Sequence, residues 1–128
     1  MDKLIAVAAR LLMSQIFIIS GWGKAMAYTA TAGYFTSLGI PMAGVVTPLV
    51  ILIELGGGLA LLFGFKTRWV AAVIAAFTVG SALIAHMNFA DQGQMINFMK
   101  NLAMTGGLLM FVKYGAGGAS IDEKLGSR

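Results

Sequence analysis

The chain has 128 residues, 59% of them hydrophobic and only 11% charged, with a formal net charge of +4 and a mean hydropathy of +0.86. A soluble domain carries about a quarter of its residues as charges, and a small one exposes a large share of its surface to water. A water-covered globule is therefore excluded, and an integral membrane protein is the reading left.

A bilayer core of about 30 Å takes about 20 apolar residues in a helix, and four stretches meet that length. The first spans about residues 4–26, with Arg10 inside it and Ser20-Gly21-Trp22-Gly23-Lys24 near its end. Lys3, this apolar run and Ala25-Met26-Ala27 imitate a secretion signal with a small-residue cleavage site. Arg10 interrupts the apolar region and Lys24 sits beside the supposed cut, so a retained span is expected. The connector 28–44 is the longest. Thr29 is placed to cap a short helix whose apolar face is Tyr34, Phe35 and Leu38, with Gly39 as a left-handed cap and Pro41 blocking continuation. A short interfacial helix on the outer membrane surface is predicted there.

The second span covers about 45–63 and holds Glu54 mid-length; Gly64-Phe65-Lys66-Thr67-Arg68 is then a tight turn into a third span over about 69–88. A polar loop, 89–94, leads to a fourth span over about 98–114, and a tail follows over 115–128. The predicted fold is an all-α membrane protein: one four-transmembrane-helix bundle with a short interfacial helix in the first outer loop, and no separate soluble domain. Four spans put both termini and the 64–68 turn on one side, with Lys3, Lys66, Arg68, Lys113, Lys124 and Arg128; only Lys24 and Lys100 lie on the other. The positive-inside rule then predicts both termini in the cytoplasm. The cations form no patch, so nucleic acid is not expected as a partner. The bilayer is.

Charges inside hydrocarbon cost about 2.5–3.5 kcal/mol each on insertion scales, so those present need a reason. Glu54 lies deep in span two and Arg10 inside span one from the same side, which makes them candidates for an intramembrane ion pair. A second set gathers at the outer ends of the helices: Lys24, His86, Asn88, Asn97, Lys100 and Asn101. Several donors around an apolar cavity suit a quinone carbonyl or an anion's oxygens. The candidate ligand-binding residues are accordingly Lys24, Glu54, His86, Lys100 and Asn101. The alternative is that the lysines anchor the interface and His86 serves a loop. No metal site is expected. The absence of cysteine removes thiol–disulfide, iron–sulfur and zinc–thiolate chemistry from the chain itself. Gly56-Gly57-Gly58 and Gly106-Gly107 follow no strand and read as helix-packing surfaces, as do Ala72, Ala76 and Gly80.

The ordered set of motifs resembles the DoxX family of small four-helix bacterial and archaeal membrane proteins. It comprises Arg10, Ser20-Gly21-Trp22-Gly23-Lys24, Leu38-Gly39-Ile40-Pro41, Glu54-Leu55-Gly56-Gly57-Gly58 and Gly64-Phe65-Lys66-Thr67-Arg68. It continues with Phe98-Met99-Lys100-Asn101-Leu102, Gly106-Gly107 and the run from Gly115 through Ser120 to Asp122. The resemblance implies a multi-pass inner-membrane protein, linked through relatives to respiratory or oxidative-stress redox systems, and it transfers a fold better than a reaction. Arg10, Lys24, Glu54, Lys100, Asn101 and Asp122 match its recurrent polar positions, with no catalytic assignment to carry over. The 115–122 segment is expected to fold a turn against the bundle end. Three functions follow as expectations. The first is a redox-system component that binds a quinone non-covalently and takes electrons from a membrane or peripheral partner protein. The second is a non-catalytic accessory or assembly subunit, and the third a small transporter, for which a homo-oligomer would be needed.

Overall fold

The computed structural model describes residues 2–85 and 90–126. All regular elements among them are helical. Four are long and apolar enough to cross a membrane: α1 (Asp2–Met26), α3 (Ala43–Phe63), α4 (Thr67–Ala85) and α5 (Gln92–Tyr114). Two short helices complete the chain, α2 (Tyr28–Ser37) between α1 and α3, and α6 (Ile121–Leu125) in the tail.

The first three of these helices begin within a turn of the predicted spans, and the predicted end of the third span, at 88, lies outside the described residues. The fourth differs most: α5 begins at Gln92, where Asp91 caps it by accepting from Gly93 N and Gln94 N. That polar first turn carries too little hydropathy to be read as membrane-spanning. α2 exists, but Thr29 lies inside it and makes no cap; Ala27 is the half-turned residue between α1 and α2. Its end is as expected. Gly39 has φ +81°, Ile40 N donates to Phe35 O and Gly39 N to Thr36 O, which is a Schellman closure.

α3 is not a uniform helix. Residues Leu52–Gly56 form a π-helical turn between α-helical Ala43–Ile51 and Gly57–Phe63. Such a turn holds one extra residue and recurs at functional sites. Pro48 begins the irregularity upstream, since it has no N–H to offer the Gly44 carbonyl; Tyr28 Oη reaches that carbonyl instead, at 3.5 Å.

Two packing seams build the bundle. α1 lies against α3 so closely that a Cβ on Gly21 would be 2.7 Å from Leu55 N, and one on Gly58 2.8 Å from Ile18 Cγ1. α4 and α5 pack along their shared length, and Phe17, Leu61, Ala71, Ile74, Ala75 and Leu108 form the core where the two pairs meet. α1 and α5 barely touch, with Met13 lying over Gly107. The glycines at close helix contacts are thus Gly21, Gly57, Gly58 and Gly107. Gly80 and Gly106 face open space.

The bundle end that carries both chain ends is locked by Arg10 and Asp122. Arg10 is 2% exposed and donates to four carbonyls: Leu62 O at 3.2 Å, Ala116 O at 2.7 Å, Gly118 O at 3.0 Å and Ala119 O at 2.7 Å. Asp122 accepts from Lys66 N (2.7 Å) and Thr67 N (2.8 Å), satisfying the first donors of α4, while its own N–H donates to Gly64 O. The glycine-rich tail segment is therefore a clasp over the ends of α1, α3 and α4.

Candidate functional site

Arg10 does not meet Glu54. Its bond to Leu62 O fixes it level with the C-terminal end of α3, and Glu54 is eight residues further along that helix, about 12 Å by rise. The expected Arg10–Glu54 pair is replaced by another. Lys24 Nζ lies 2.7 Å from Glu54 Oε1 and donates to Ser20 Oγ, also at 2.7 Å. The register of α1 on α3 explains the exchange. Gly21 rests on the backbone of Leu55, so Ser20 and Lys24, one turn apart on α1, arrive beside the residue before Leu55.

The pair is embedded in protein. The Glu54 side chain is 7% exposed and that of Lys24 27%. Glu54 Oε1 has no aligned hydrogen bond of its own, so the ammonium holds it as a charge contact. A buried pair of this kind is expensive to open from either side, because each removal strands the other charge.

Lys24 and Glu54 form part of the wall of a cavity of about 610 Å³ lined by residues of α1, α2, α3, α4 and α5. Lys100, Asn101, Ser20, Thr78 and Ser81 add polar groups, and Phe17, Phe77, Val46, Val50 and Ile84 make up much of the apolar wall. Asn101 is fixed by donating from Nδ2 to Thr78 O at 3.2 Å. Lys100 is exposed at the edge of the cavity and makes no ion pair among the described residues. The face of α2 predicted from Tyr34, Phe35 and Leu38 exists, and all three side chains roof the cavity. They cover the bundle's own interior rather than only an interface.

Four of the five sequence candidates, Lys24, Glu54, Lys100 and Asn101, thus line one cavity. His86 and Asn88 lie outside the described residues. Asn97 is half-buried and away from the cavity wall. Sequence reasoning missed Ser20, Thr78 and Ser81. Ser20 had a readable mark, being four residues before Lys24 and so on the same helix face. Thr78 and Ser81 had none, since a hydroxyl inside a span usually bonds its own helix, as Thr78 Oγ1 does to Ile74 O.

The cavity wall sets two lysines, Lys24 and Lys100, against one carboxylate, Glu54. It offers donors to ligand oxygens, apolar surface to a ring or chain, and one carboxylate able to take a proton.

The chain is 46% identical over 122 residues to the Inner membrane protein YqjF of Escherichia coli K12, covering 95% of this chain and 92% of that protein. It is 33% identical over 121 residues to the Inner membrane protein YphA of the same organism, covering 91% and 86% respectively. No solved structure matches. The DoxX family model matches residues 5–87, which contain Arg10, Lys24 and Glu54. With four helices fit to cross a membrane and relatives of this kind, the chain is a multi-pass bacterial membrane protein and belongs to the DoxX family.

Proposed function

We propose that the protein is a membrane component of a redox system and holds the head group of a quinone in the cavity beneath α2. The observation that carries this reading is the Lys24–Glu54 pair, set with Lys100 and Asn101 in the wall of a largely apolar space. Its volume of about 610 Å³ lies within the range of about 300–1,000 Å³ typical of small-molecule sites. Quinone oxygens only accept hydrogen bonds, and the cavity supplies ammonium and hydroxyl donors to them. Lys24 and Lys100 orient the head, Phe17 and Phe77 flank it, and Glu54 is the group that exchanges a proton with it. Electrons come from a membrane or peripheral partner protein, since a chain without cysteine has no dithiol to carry them.

Purified protein extracted into organic solvent is expected to yield quinone in stoichiometric amount. Protein stripped of lipid should rebind a short-chain benzoquinone, and Lys24→Met should weaken that binding by about tenfold or more, the worth of one charge-assisted hydrogen bond. Absence of quinone in the extract together with no rebinding removes the reading. Recovery of a stoichiometric protein partner in its place would establish the accessory-subunit role.

A further inference from the structure

The weak contact between α1 and α5 leaves a groove of about 760 Å³ between them, lined by Ile5, Leu12, Met13, Met104, Met110 and Phe111 among other apolar groups. It runs from Ile16 to Asp2 on one wall and from Lys100 to Tyr114 on the other. Each wall is fifteen residues long, about 21 Å from end to end at the helical rise. Ile16, Lys100 and Met104 line both the groove and the cavity beneath α2, so the two spaces share a wall.

We propose that this groove is the tail subsite of the cavity and the route by which its ligand passes sideways between bilayer and protein. The ligand is then an amphiphile with a single flexible apolar chain. The inference rests on reading the cavity as a ligand site. Its head lies at Lys24, Glu54 and Asn101, and its chain leaves past Lys100 and lies between α1 and α5. Lipid tails are as apolar as the groove, so burial alone gives a free chain no reason to prefer it. A chain tethered to a seated head does prefer it, because the head holds the chain at the groove's mouth at high effective concentration. Lys100, exposed where the two spaces join, is the residue the head passes on its way in or out.

The test uses the full chain in lipid nanodiscs with three probes. The first is a decyl-1,4-benzoquinone with a diazirine at the chain end, the second a diazirine alkane of the same length without a head. The third is tetramethyl-1,4-benzoquinone, a head without a tail, whose binding is followed by titration calorimetry. The headed probe is expected to label peptides containing Ala9 and Met110 several-fold above the peptide containing Val73, which is 53% exposed on α4 and lines neither space. The alkane should label all three alike. Ala9→Trp from one wall, or Met110→Trp from the other, should lower groove labelling to the Val73 level, whereas Val73→Trp should leave it unchanged. Tail-less quinone should still bind every variant, which shows that each is folded. Even labelling by the headed probe, or groove labelling that survives both tryptophans, overturns the tail channel. If the tail-less head still binds in that case, the cavity reading stands without it. Head-dependent groove labelling with no binding of tetramethylbenzoquinone supports the channel and shows that the head is held only with its chain attached. Even labelling with no head binding removes both.

Discussion

Lys24 and Glu54 are a case where loss of one partner and loss of both have opposite consequences. A lone buried charge keeps its desolvation cost and loses its compensation, so Lys24→Met or Glu54→Gln should each destabilise the protein, by about 3–5 kcal/mol for Lys24→Met. An apolar pair of similar volume removes both the cost and the compensation, and Lys24→Met with Glu54→Leu should recover most of the loss. Unfolding of the singles and the double by SDS titration measures this coupling; losses that simply add would show two independent side chains. A recovered double variant that no longer binds benzoquinone would separate the pair's binding role from its structural one. Asp122 makes a different prediction because it titrates at the bundle end. Burial pushes its carboxyl up, but the hydrogen bonds from Thr67 and Lys66 and the Lys66 charge outweigh that and hold it below its ordinary value of 3.8. A group depressed in the folded state stabilises above its unfolded value and loses that contribution as pH falls through the folded one. Stability should therefore drop as the medium is taken from about pH 5 downward through 3.8 and below. Asp122→Asn should be less stable at pH 7 and should lack this component of the acid loss, which thermal midpoints at pH 7 and pH 3 compare directly.

At the scale of elements, the decisive feature is the seat of Gly21 on the π-helical turn of α3. A Cβ there would sit 2.7 Å from the Leu55 nitrogen, and backbone atoms yield less readily than side-chain ends. Gly21→Val should force α1 away from α3, at about 1–3 kcal/mol for overpacking, and should part Lys24 from Glu54. Gly23→Val, two residues along with nothing within 4 Å of its Cβ, is the matched control. Equal stability of the two variants in the same titration would show that the seam does not set the pair. This seam also explains what the sequence made legible and what it hid. The four spans were readable because hydropathy over about twenty residues is a property of each segment alone. The clasp at 115–122 and the face of α2 were readable because glycine, serine and aspartate mark turns by local chemistry. The cavity's charged members were readable because any ionisable group in a span is conspicuous. The pairing was not. Depths counted from each helix's own end place Arg10 and Glu54 on neighbouring levels, but the register between helices is a tertiary quantity, fixed where Gly21 meets Leu55. The π-helical turn was equally hidden, since one extra residue in Leu52-Ile53-Glu54-Leu55-Gly56 leaves an apolar run apolar. Pro48 before it and Gly56-Gly57-Gly58 after it were its only marks.

For the whole molecule, the arrangement is polar from end to end. The clasped end carries Arg10 and Asp122 in closed hydrogen-bond sets, while the opposite half carries the cavity, its roof and the Lys24–Glu54 pair. Which half faces which side of the membrane decides where a head group exchanging protons with Glu54 would release them. The cations argue for one answer. Lys3, Lys66, Arg68, Lys113 and Lys124 all lie on the clasped end, and Lys24 and Lys100 on the cavity half. Lysine and arginine near the ends of spans are retained on the cytoplasmic side, which predicts both termini in the cytoplasm and the cavity toward the outer face. A chain without native cysteine allows this to be read one residue at a time. Ser37, exposed at the end of α2, and Lys124, exposed on α6, mark the two sides. In intact cells an impermeant maleimide should label Ser37→Cys and leave Lys124→Cys untouched until the membrane is opened. Labelling of Lys124→Cys alone would invert the molecule. Glu54 would then exchange protons with the cytoplasm, and Lys24 and Lys100 would become the inner anchors. Equal labelling of both positions in one cell population would show two insertion orientations. A charge difference of this size makes a single orientation the expected result, and moving lysines from the clasped end to the α2 loop should be enough to shift it.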